Sequence, residues 1–161
     1  MMYRAMTAVL ACALVVCWLS APAATQMHSP ASSPLTLTDK LPAASFSLPP
    51  DVVASAPAIL ALSITKVENP GRIGINVFVY LSFPQGSEGQ KILIGNVSLY
   101  PSDHPAGFLL RSSTAFQQMK ARSATSKSSK VDLLIEMSRA NEREPWKPVK
   151  LVVAPPEWRK E

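Results

Sequence analysis

Beyond residue 24 the chain has no cysteine, because Cys12 and Cys17 are its only two. No disulfide can form in the remainder, so its stability has to come from packing. Histidine is almost as scarce, with only His28 and His104. His28 sits in a proline-rich stretch, which leaves the strand-patterned region one histidine and no thiol. That is too few nitrogen and sulfur ligands for a zinc or copper centre, so no metal and no cofactor is expected. Glycine is sparse at six residues, and no glycine-rich phosphate loop is present. There is no G-x-S-x-G elbow, and Ser102-Asp103-His104-Pro105 has the composition of a turn in which an aspartate caps its own backbone. No residue is therefore assigned a catalytic role.

The first two dozen residues have the three parts of a secretory signal. A positive start at Met1 to Arg4 precedes an apolar run from Ala5 to Leu19 and the small residues Ala21-Pro22-Ala23-Ala24. Cleavage is expected near Ala23 or Ala24, giving a secreted or periplasmic protein with no membrane attachment after processing. An uncleaved anchor is the alternative, but the run is short for a stable span. Lipid attachment at Cys12 would leave too little signal before the cysteine.

Charge is mild. Arg4 is the one charged residue in the signal, so sixteen basic residues become fifteen against eleven acidic, a net +4. Lys120, Arg122, Lys127 and Lys130 form the one local concentration, in a serine-rich stretch. That stretch lacks the interleaved aromatics that nucleic-acid stacking requires, so it reads as a solvated loop and not as a nucleic-acid interface.

Residues 25–57 are rich in proline, alanine, serine and threonine, with Pro30, Pro34, Pro42, Pro49, Pro50 and Pro57 spaced through them. Proline removes backbone donors and favours extended forms, which predicts a semi-extended lead outside the packed domain. Ala44-Ser45-Phe46-Ser47-Leu48 alternates and could form one edge strand over 44–48. From residue 58 the period becomes two. Leu60, Leu62 and Ile64 share a face, and Asn69-Pro70-Gly71 supplies a turn. Ile73 to Leu81 follows, with Ile75, Val77 and Val79 opposed to Asn76, Phe78 and Tyr80. A polar loop over 84–89 leads back through Lys91 to Tyr100, whose phase slips at Gly95-Asn96 and predicts a bulge. Phe108–Arg111, Lys130–Ser138 and Pro148–Ala154 complete the strands, with a short helix over 114–122. Residues 155–161 read as a loose tail. Six or seven strands predict an all-β antiparallel sandwich or flattened barrel over 58–154. Asp132 and Glu136 fall on a solvated strand face, and Asn96-Val97-Ser98 fits a glycosylation acceptor within a strand.

Three segments taken in order, Ile75-Asn76-Val77-Phe78-Val79-Tyr80-Leu81, Leu93-Ile94-Gly95-Asn96-Val97-Ser98-Leu99-Tyr100 and His104-Pro105-Ala106-Gly107, resemble the C-terminal β domain of tyrosinases and polyphenol oxidases. Phe78 and Tyr80 stand near that family's aromatic position and Gly95 at its central glycine; Val131 to Met137 is similar to a later strand. In the family this domain packs over a di-copper site as a shield. The chain lacks the helical domain and its histidines, so the resemblance implies a non-catalytic accessory or shielding subunit for a separately encoded copper oxidase or another exported protein. Under it, His104, Pro105, Phe108 and Leu109 are the candidate contacts. A second reading of the residues is a secreted module for glycans or polyanions, built on Tyr80, Trp146 and Trp158 with Lys120 and Arg122 of the basic loop. Trp146, between Pro145 and Pro148, would otherwise serve as a staple holding the last hairpin to the sandwich.

Overall fold

The structure is a computed structural model that describes residues 33–83, 90–123 and 130–160. The signal, the first residues of the lead, the loop at 84–89 and residues 124–129 of the basic loop, Lys127 among them, lie outside the described residues. So does Glu161.

Among the described residues nine strands and two helices follow in chain order: β1 (Leu35–Thr38), β2 (Ala43–Ser47), α1 (Pro50–Ser55), β3 (Ile59–Glu68), β4 (Ile75–Ser82), β5 (Lys91–Leu99), β6 (Ala106–Arg111), α2 (Ser113–Ser123), β7 (Asp132–Arg139), β8 (Lys150–Val153) and β9 (Glu157–Arg159). They form two antiparallel sheets, one in the order β1-β8-β3-β6 with β9 also on β3, the other in the order β2-β7-β4-β5. This is the all-β sandwich that the two-residue periodicity predicts. No described helix is long and apolar enough to cross a membrane.

The alternation explains the layers. In β4, Ile75, Val77, Val79 and Leu81 are buried while Asn76, Phe78, Tyr80 and Ser82 are not. β7 repeats this with Leu133, Ile135 and Met137 inside. The inner faces meet in one cluster that includes Leu37, Leu60, Leu62, Ile64, Leu151 and Val153 from the five-stranded sheet. Each such side chain removed from water stabilises the fold by about 1.5–3 kcal/mol. α2 closes the cluster with Ala115, Phe116 and Met119, all buried. Before it, the buried Ser112 hydroxyl donates to the Pro57 carbonyl at 2.6 Å, and the Ser112 amide donates to Ala58 O at 2.8 Å.

Four expectations need correction. The lead is not outside the domain: β1 pairs with β8, β2 lies at the edge of its sheet on β7, and Leu37, Phe46 and Val52 are buried. Packing therefore starts at Leu35 and not at residue 58. The tail over 155–161 is not loose either, since Glu157–Arg159 pairs with Ile59–Ala61 and Trp158 is 3% exposed. Pro155 and Pro156 interrupt the line of β8, after which the chain resumes along the same strand. With β1 and β9 added, the expected six or seven strands become nine. The bulge occurs one residue from its expected place: Val79 pairs with Gly95 and Tyr80 with Leu93, so Ile94 is the extra residue. That insertion turns Leu93 outward beside Tyr80 and Gly95 inward, where an added Cβ would stand 3.2 Å from a methyl of Leu110 on the facing sheet.

Candidate functional site

One end of the sandwich gathers the turns that follow β3, β5 and β7. Its organiser is Asn69, a buried polar residue at 4% exposure. Its side-chain amide donates to Ile73 O and Ser102 O, both at 2.9 Å, and its carbonyl oxygen accepts from the Ile73 amide at 3.2 Å. Two loops far apart in sequence are thereby held together, and the buried amide is fully used. Arg72 takes a left-handed φ of 48°, a backbone form that a side-chain-bearing residue adopts at a cost of about 1–2 kcal/mol. Its Nε lies 3.1 Å from Asp103 Oδ2, and His104 Nδ1 donates to Asp103 Oδ1 at 2.6 Å. The hydrogen bond from His104 holds the Asp103 carboxyl below the usual aspartate range against its partial desolvation, with help from the charges of His104 and Arg72.

On this clasped loop Tyr100 is 97% exposed. Beside it Arg72, Gly74, Leu99, Asp103 and His104 line a shallow recess of about 490 Å³. Gly74 can only be glycine there, since an added Cβ would come within 2.8 Å of Ala140 Cβ. Among the described residues no nucleophile is bonded to the His104–Asp103 pair, and no group of three or more metal-ligating side chains occurs.

The expected contact residues divide. His104 lines the recess and Pro105 is exposed next to it in the chain, whereas Phe108 faces inward and packs against the core. Leu109, 64% exposed, points the opposite way from the outer side of the five-stranded sheet. Tyr100, the most exposed large side chain of the loop, was missed, because a tyrosine at a strand's end reads as part of the strand.

The residues of the polymer-binding reading also disperse. Trp158 is buried and meets Phe116 edge to face, with ring centroids 5.5 Å apart, so it cannot be a surface aromatic. Trp146 is half-buried against the core, with the Arg139 guanidinium 5.5 Å from its ring centre, which suits the staple role. Arg139 also donates to the Glu144 carbonyl. Lys120 and Arg122 lie in the last turn of α2, and the Lys120 ammonium donates to Ala54 O at 3.3 Å. Tyr80 stands on the outer face of the four-stranded sheet, parallel to Phe78 within 15°.

No protein-family model matches the chain, and no curated protein matches it. The functional reading therefore rests on these surfaces.

Proposed function

We propose that the chain is an exported, non-catalytic accessory protein that docks on a separately encoded protein through its Tyr100–Pro105 loop. The observation that carries this is Tyr100: a tyrosine almost wholly in water, on a loop that Asn69 and the Arg72–Asp103–His104 clasp have already ordered. An exposed tyrosine on an ordered loop beside a recess supplies contact area without the cost of ordering the backbone, and such residues dominate protein interfaces. His104 and Pro105 extend the surface, with the outer nitrogen of the imidazole left to meet a donor or acceptor. The resemblance to the tyrosinase β domain points to a phenol-oxidising copper enzyme as the partner.

The test is capture from the native secretome on immobilised mature protein. Recovery of a copper oxidase, weakened about tenfold by Tyr100→Ala with the fold intact, is the expected result. Recovery of no oxidase, together with unchanged phenol oxidation after deletion of the gene, would refute it.

A further inference from the structure

The outer face of the four-stranded sheet is built differently from the docking end. Strand register sets its side chains in rows across three strands: Glu136, Phe78 and Asn96 in one, Leu134, Tyr80 and Leu93 in the next, Ser138, Asn76 and Ser98 in a third. Phe78 and Tyr80, two residues apart on β4, carry nearly parallel rings with centroids separated by 6.4 Å. Around them lie amides and hydroxyls. Ser98 Oγ donates to Asn76 Oδ1 at 2.7 Å, and Asn96 is exposed opposite Phe78. Lys91 reaches over β4 to Glu136, meeting both carboxylate oxygens at 2.8 Å, with its ammonium 4.6 Å from the centre of the Tyr80 ring.

We infer that this face binds a neutral, extended glycan chain, a site independent of the docking loop. Three features select that ligand. Sugar rings present polarised C–H groups, which pack against the electron-rich faces of aromatic rings. Their hydroxyls both donate and accept, and the face offers both functions: amides at Asn76 and Asn96, hydroxyls at Ser98 and Ser138, and ammonium beside carboxylate at Lys91–Glu136. Finally, charge on the face cancels. Lys91 is paired with Glu136, and Lys130 stands 4.0 Å from Asp132, so a protein that is basic overall presents here a surface with no pull on a polyanion or a polycation. The apolar area rests on Phe78, Tyr80, Leu93 and Leu134, of which Leu93 is 51% exposed and the others half-buried. That is little for the broad apolar centre of a protein interface but suits a row of single sugar rings.

Calorimetry on the mature protein with cellohexaose, chitohexaose and a heparin hexasaccharide tests the site. Binding of a neutral hexasaccharide is expected, weakened about tenfold by Tyr80→Ala and by Phe78→Ala, and kept within about threefold by Tyr80→Phe. Tyr100→Ala should leave it unchanged, so that failure of the docking loop and failure of this face are read separately. Thermal unfolding shows that each variant is folded. The proposal is overturned if neither neutral hexasaccharide binds at millimolar concentration, if heparin binds as tightly, or if folded Tyr80→Ala keeps full affinity. A concentration-dependent dimer abolished by Tyr80→Ala would assign the face to a second copy and would likewise overturn it.

Discussion

At its Ile59 end β3 lies between β6 and β9, each paired to it, and the chain there covers Phe116 and Trp158. Past its other end, beyond Glu68, the chain turns through Asn69 and is held chiefly by hydrogen bonds and an exposed ionic clasp. Burial is non-directional and tolerates a loose match, so it suits the end that closes the core. Hydrogen bonds fix atoms to within tenths of an ångström, so they suit the end that holds the Tyr100 loop in place. The stability of this protein and the loop proposed to dock are thus supported by different forces at opposite ends of one strand.

The hardest blow to that contrast is Trp158→Ala. The side chain is buried against Phe116, and its removal is expected to cost about 3–5 kcal/mol of global stability in chemical denaturation. Trp158→Phe should recover most of this, because the indole N–H has no hydrogen-bond partner among the described residues and the loss is one of volume. If Trp158→Ala unfolds at the same denaturant concentration as the parent, β9 is not part of the core.

Asn69→Ala should act at the opposite end and cost less, about 1–3 kcal/mol, by leaving the Ile73 amide and the Ile73 and Ser102 carbonyls without their side-chain partner. Its signature is local. Amide exchange should quicken at residues 70–74 and 101–105 well beyond any change in β3 or β4. Uniform quickening over the whole domain would show that Asn69 holds the core and not the loops.

Asp103→Asn is the gentlest change, with no measurable loss of global stability because the ion pairs it breaks are exposed. Since the folded carboxyl titrates below its unfolded value, its support for the loop is complete above the unfolded aspartate range and is lost as pH falls through the folded value. Below about pH 4 the loop amide signals of the parent should show a step that the asparagine variant lacks. In the asparagine variant the loop should be altered at neutral pH already. Identical neutral spectra for the two proteins would remove the clasp from the account.

The middle of the chain was legible because strict alternation announces both the strand and its buried face. Ile75 to Leu81 and Val131 to Met137 each say which side is oily without reference to any partner. β1 and β9 were not legible. Leu35–Thr38 follows Pro34 and is four residues long, and its partner β8 begins more than a hundred residues later; Glu157–Arg159 has three residues behind two prolines. Segments so short have no stability of their own and form only on a strand already in place. The candidate surfaces divide in the same way. His104 and Pro105 were visible as loop chemistry and Tyr80 as the outward side of a strand, but nothing local distinguished the buried Trp158 from the half-buried Trp146, since both stand within two residues of a proline.

What the amino-acid order determined by itself is the class of the fold and the inward face of its long strands. Both follow from side-chain polarity at a spacing of two, and neither needs a neighbour. Only the tertiary structure decided that the lead and the tail are strands, that Asn69 joins two distant loops beneath Tyr100, and that Phe78 and Tyr80 share a face with Asn96, Glu136 and Lys91. Each of those depends on which segments lie side by side, and that is set by the joint packing of the two sheets and not by any stretch of sequence alone.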